Sequence, residues 1–148
     1  MDGDTSRFDY DIMGSLTIDR LLPATPDRVW RAFAAPGELA SWFWPEPFQT
    51  EVSLEARQSG ELRIRSESAG MGVTGKVTDI EPERLLSTSW QWDGEEQRTD
   101  VTIQLRPEEQ GTRLTVRHIG FTTEEAIADH VRGWNDCLDR LDRIGLTA

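Results

Sequence analysis

Apolar and polar residues alternate along most of this chain, and the period of the alternation changes where helices are expected. In GSLTIDRLL (14–22), Leu16, Ile18 and Leu22 fall on one side, the two-residue repeat of a half-buried strand. TPDRVWRAF (25–33) switches to helical spacing through Val29, Trp30 and Phe33. Thr25 stands at the N-cap. Pro26 occupies the first helical position, where no N–H is required, and Asp27 sits at the positive end of the helix dipole. APGELASWFW predicts a second short helix that starts near Pro36 and is stopped by Pro45 and Pro47.

From Phe48 to Ile119 the period is two. FQTEVSLEA alternates at Phe48, Thr50, Val52 and Leu54, and GELRIRSES sets Leu62 and Ile64 against Arg63 and Arg65. GVTGKVTDI, RLLSTSWQWD, RTDVTIQLR and TRLTVRHI continue the pattern. Turn chemistry separates these runs at Ala69-Gly70, Glu81-Pro82-Glu83, Asp93-Gly94 and Pro107 to Gly111. Charge confined to alternate positions predicts an antiparallel sheet with one dry and one wet face, with Arg63 and Arg65 on the wet side.

The dry face needs a cover, and one long helix remains to supply it. Thr122 and Glu125 form a capping-box signature. Ile127, Val131, Trp134, Leu138 and Leu141 then recur at spacings of 4, 3, 4 and 3, a single apolar stripe. Gly133 lies beside that stripe, in line with Ala126, His130 and Cys137. Glycine costs a helix interior about 1 kcal/mol relative to alanine. A flank of small groups permits either close approach of a neighbouring element or a void, and the expectation is that Gly133 lets the helix sit close while Trp134 faces the sheet.

Composition narrows the function. A chain of 148 residues suits one domain, expected over 14–148 after a polar leader at 1–13. The net charge of −11 repels nucleic acid and anionic membranes. No apolar run reaches membrane-spanning length, and the acidic N-terminus is unlike a secretory signal, so the expected compartment is cytoplasmic. Cys137, the single cysteine, rules out an internal disulfide and a Cys-rich zinc site, and reads as a small buried apolar group.

Five stretches resemble a known family: PATPDRVWRAFAAPGELASWF, EARQSGELRI, GKVTDIEPERLLSTSW, GTRLTVRHIGF and HVRGWNDCLDRL. Taken in order, they are similar to the family named after the activator of the ninety-kilodalton heat-shock chaperone's ATPase, within the START-like (SRPBCC) superfamily. The resemblance implies an α+β helix-grip fold. Its curved antiparallel sheet of about six to seven strands wraps a long C-terminal helix, and two short helices follow the first strand. Gln58-Ser59-Gly60 departs from the family, which often has a Gly pair there. Chaperone activation is not carried over, because many bacterial members are single domains without a known chaperone role. The resemblance also implies a cavity between sheet and C-terminal helix; in related proteins such cavities hold lipids, sterols, polyketides or other apolar molecules.

The candidate chemistry fits a binding cavity better than a reaction centre. Trp44, Trp90, Trp92, His118, His130 and Trp134 are the expected ligand-binding residues, large apolar walls with few polar groups. Trp42 and Trp44 are expected near the cavity mouth. His118 is in phase with Leu114 and Val116 and points inward, and His118 or His130 is available to orient one polar ligand group. No nucleophile motif, phosphate-cradling loop or metal-ligand spacing is present, so no cofactor, metal or catalytic residue is expected. Three readings follow: a domain that binds an apolar small molecule; an enzyme of the cyclase, dehydratase or hydrolase type using the same cavity; or a chaperone-accessory or stress-response interaction module with an exposed patch at Trp42, Phe43 and Trp44. The first is preferred over an enzyme because the sequence offers only two histidines and scattered carboxylates. A homodimer is the default expectation.

Overall fold

The computed structural model of the chain describes residues 14–144 and Leu146; the leader expected at 1–13 lies outside the described residues. In order, the elements are β1 (Ser15–Leu22), α1 (Pro26–Ala34), α2 (Pro36–Trp42), a short 3₁₀ turn (Glu46–Phe48), β2 (Glu51–Leu54), β3 (Glu61–Ser66), β4 (Met71–Glu81), β5 (Leu85–Trp92), β6 (Thr99–Glu108), β7 (Gly111–Ile119) and α3 (Glu124–Ile144). The strands form one seven-stranded sheet in the order β1-β7-β6-β5-β4-β3-β2, with every neighbouring pair antiparallel. This is the helix-grip fold.

Alternation sets the faces. Thr112, Leu114, Val116 and His118 of β7 point inward, as do Val101, Ile103 and Leu105 of β6 and Leu86, Thr88 and Trp90 of β5. A register shift between Val77 and Asp79 inserts an irregularity into β4, and such bulges bend a strand and increase its twist. Helix α3 covers the concave side through Trp134, Cys137, Leu138 and Leu141, all buried. At the β1 edge, Arg20 ties the helix down: its guanidinium donates to Asn135 Oδ1 at 3.0 Å and pairs with Asp139 at 2.9 Å.

Local details differ from the sequence reading in three places. Helix α3 is capped one residue later than expected: Thr123 Oγ1 accepts the Ala126 N–H at 3.0 Å, while the Thr122 hydroxyl donates to Gln97, so no Thr122–Glu125 box forms. Thr25 holds the N-cap position of α1, but its hydroxyl donates to Asp27 Oδ1 instead of capping the helix. Strand β2 is shorter than FQTEVSLEA suggested, because Gln49 takes a left-handed φ of 52° that ends the 3₁₀ turn and breaks the alternation. At the departure from the family pattern, Ser59 adopts φ 66°, a conformation a side chain makes costly, and a Cβ at Gly60 would lie 2.0 Å from the Glu55 carbonyl oxygen. The turn keeps glycine where contact forbids anything else and tolerates serine where only strain is at stake.

The segment after α2 is a core element, contrary to expectation. Trp42, Phe43 and Trp44 are all buried, so no exposed apolar patch exists there. Trp42 sits in the core, edge-on to Phe33 at 5.0 Å, and its indole donates to the Ala32 carbonyl at 3.0 Å. Closing α1 against α2 consumes this side chain, which is why it does not reach the cavity mouth.

Candidate functional site

Between α3, the 43–48 segment and the β4–β5 side of the sheet lies a cavity of about 330 Å³, open to solvent. Trp44, Trp90, Trp92, Trp134, Phe43 and Phe48 wall it, and Met71 and Pro45 add apolar surface. Trp44 and Trp92 stack, with 6.2 Å between centroids and 17° between planes. Phe43 meets Trp134 edge-on at 5.7 Å and packs against Trp90 at 5.8 Å. A deeper void of about 40 Å³ shares Phe43, Trp90 and Trp134 with the main cavity.

Gly133, exposed on α3, stands at the border of this cavity. A Cβ built at Gly133 would meet nothing within 4 Å, so the close approach expected there does not occur. The missing side chain borders the cavity instead. The void, the other reading of that small-residue flank, is the one the structure adopts.

Two indole–imidazole pairs brace the wall. The Trp134 Nε1–H donates to His118 Nδ1 at 3.1 Å. Because an indole nitrogen can only donate, His118 Nδ1 must be unprotonated. Its Nε2–H then donates to Thr99 Oγ1 at 2.7 Å, and the Thr99 hydroxyl donates on to the Trp90 carbonyl at 3.2 Å. His118 has no exposed surface, and burial, aided by the neighbouring His130, pushes its pKa down from 6.5 to about 3. The second pair has the opposite tautomer. Trp92 Nε1–H donates to His130 Nε2 at 3.0 Å, and His130 Nδ1–H donates to the Ala126 carbonyl at 2.7 Å.

These bonds correct the role given to the histidines. His118 does not line the cavity; it stands behind Trp134 and holds its ring. His130 does border the cavity, but both of its nitrogens are engaged, so neither imidazole presents a free lone pair to a ligand. Trp44, Trp90, Trp92 and Trp134 meet at the cavity as the sequence suggested. Of the three indoles of Trp90, Trp92 and Trp134, only Trp90 has its buried Nε1–H without a partner.

The remaining polar groups of the lining came unannounced by the sequence. The Arg140 Nε–H donates to the Trp42 carbonyl at 3.1 Å and Nη2–H to the Phe43 carbonyl at 3.3 Å, while Nη1 pairs with Asp136. The cation thus satisfies the carbonyls that end α2, where the helix dipole is negative. The Cys137 thiol donates to the same Phe43 carbonyl, and burial pushes its pKa up to about 12, so it is a thiol, not a thiolate. Asp129 at the rim pairs with Arg132. One signal was readable in retrospect: Gly133, Asp136, Cys137 and Arg140 follow one helix face at spacings of three and four. Among the described residues, no cluster of His, Cys, Asp and Glu is suited to a metal ion, and no helix is long and apolar enough to cross a membrane.

Comparison with known families agrees with this architecture. Residues 23–145 match the family described as "Activator of Hsp90 ATPase homolog 1-like protein". The chain belongs to this family. Solved structures place the family member among SRPBCC-type folds. A protein of Rhodobacter sphaeroides is 28% identical, covers 89% of this chain and 91% of its own, and superposes with a TM-score of 0.76. CalU16 of Micromonospora echinospora is 28% identical over 88% of this chain and 73% of its own, with a TM-score of 0.72. DynU16, a protein in the dynemicin biosynthetic locus, shares the fold at 24% identity and a TM-score of 0.77, covering 88% of this chain and 46% of its own. No curated protein matches the chain. The Gly-Trp pair falls in the C-terminal helix, where its two residues have different places: Trp134 builds the wall and Gly133 borders the cavity without a side chain.

Proposed function

We propose that this protein binds a small, largely apolar molecule in the cavity beneath α3. The observation that carries the reading is a solvent-open space of about 330 Å³ walled by aromatic rings, beside a helix that presents glycine to it. Such concave, mostly apolar spaces of several hundred Å³ are the usual form of small-molecule sites. Trp44, Trp90, Trp92 and Trp134 would supply contact area, and His130 would act through its ring edge because its nitrogens are engaged. His118 would contribute by fixing Trp134. Burial of apolar ligand surface gives about 25 cal/mol per Å² before association costs. The cavity wall offers shape and dispersion rather than proton transfer, which favours carriage or sensing over catalysis.

The test is a titration with the neutral fluorophore N-phenyl-1-naphthylamine, whose emission rises in apolar surroundings. Saturable binding is expected for the wild type and for Gly133→Ala. Gly133→Leu, whose side chain would enter the cavity without meeting the backbone, should weaken binding by about tenfold or more, the equivalent of about 1.4 kcal/mol. Equal affinity in the leucine variant, or no saturable binding to the wild type, would remove the cavity from consideration.

A further inference from the structure

On the convex side of the sheet, away from the cavity, lies a second concavity of about 370 Å³. Its floor is short and polar: Thr74 and Gly75 of β4 and Ser89 of β5. Around that floor stand Arg63 of β3, Lys76 of β4 and Arg98, just before β6. Lys76 is the only lysine of the chain. We infer that this groove is a binding site for a multiply charged small anion of the polyphosphate type.

Four observations support the assignment. First, the chain has 27 acidic residues against 16 basic ones, yet none of these three cations has an ion-pair or hydrogen-bond partner through its side chain among the described residues. A chain with such an excess of carboxylates would easily supply partners, and it supplies only Glu61, which lies opposite Lys76 in register without pairing to it. Three positive charges therefore face one negative charge. Second, one reason to place Lys or Arg on a strand is to keep an exposed edge from pairing with another chain. That reason does not apply, because β3, β4 and β5 are interior strands and the edges are β1 and β2. Third, the register spreads the cations around one bowl. Arg63 is paired with Thr74, Thr74 with Gln91, and Arg98 precedes the Thr99 that pairs with Trp90, so the two guanidiniums flank a common row of small polar groups. Fourth, donors on the floor suit an anion. Ser89 Oγ accepts the Lys76 backbone N–H at 2.9 Å, which leaves its hydroxyl proton free to donate upward. Guanidinium forks and an ammonium point charge are the side chains suited to phosphate oxygens.

The site is separate from the cavity, and the two can be tested apart. Pyrophosphate is titrated into isotopically labelled protein at low ionic strength, and backbone amide shifts are followed by NMR. Saturable shifts are expected at Thr74, Lys76, Ser89 and Gln91. Inorganic phosphate, with fewer charges, should bind more weakly at the same amides. Lys76→Gln and Arg98→Gln, at exposed positions without partners, should each weaken pyrophosphate by about tenfold while leaving the melting temperature unchanged. Glu61→Gln should change affinity in the opposite direction and tighten binding. Shifts that rise linearly without saturation, that scatter over other arginines, or that persist unchanged in the doubly substituted protein would overturn the assignment.

Discussion

Burial decides what His118 does as pH falls. Its folded pKa, about 3, lies below the ordinary 6.5, so the unfolded chain takes up a proton through a range in which the folded protein does not. Stability contributed by the neutral, doubly bonded imidazole is complete above pH 6.5 and is lost progressively as pH drops from 6.5 towards 3. The loss is on the order of 5 kcal/mol in all, with about 2 kcal/mol of it reached by pH 5. His118→Asn should therefore be less stable than the wild type at pH 7 by about 1–3 kcal/mol, since the shorter amide has no atom at the Nε2 position that serves Thr99. Chemical denaturation between pH 7 and 5 should show a shallower decline for the variant. Parallel curves for the two proteins would mean that the buried ring is not what titrates. The inward direction of His118 was legible from its phase with Leu114 and Val116. Its partner was not, because Trp134 is a neighbour only after α3 has folded back over β7.

At the scale of elements, Arg140 joins two helices that the sequence describes separately. It lies off the apolar stripe of α3, yet it closes the C-terminal end of α2 through the carbonyls of Trp42 and Phe43. Arg140→Leu would keep much of the aliphatic stem but leave those carbonyls without their donor. A loss of about 2–3 kcal/mol is expected in urea unfolding, with faster amide exchange at the end of α2. A loss below about 0.5 kcal/mol, the ordinary level for a surface change, would assign those carbonyls to water instead. Strand identity was readable because alternation survives in any sheet with one dry face. The boundaries of β2 and the cap of α3 were less so. Gln49 turns left-handed without any residue type that demands it, and Thr122 and Thr123 are equally good capping residues until Gln97 takes one of them.

For the molecule as a whole, charge acts on every contact at once. A net charge of −11 repels itself most strongly in the compact state, and salt screens that repulsion over about 10 Å at 0.1 M. Adding sodium chloride from about 0.01 to 0.5 M should raise the melting temperature by a few degrees, because the Debye length shrinks severalfold across that range. A falling melting temperature would show that pairs such as Arg20–Asp139 and Arg28–Glu38 outweigh the net repulsion. The order of elements was written plainly along the chain, and the fold with it. The cavity was not, since it is defined by what packing leaves empty: Gly133 signalled a gap or a close contact, and only the position of the sheet decides between them.

Strand β5 has one further consequence. Trp90 and Trp92 look into the aromatic cavity, while Ser89 and Gln91, between and beside them, look into the basic groove. The sheet is a single layer there, so two compartments of opposite character share one partition barely a backbone thick. Four of the six tryptophans sit on or around its inner side. The protein therefore carries its own optical gauge, able to register from within an arrival on either face.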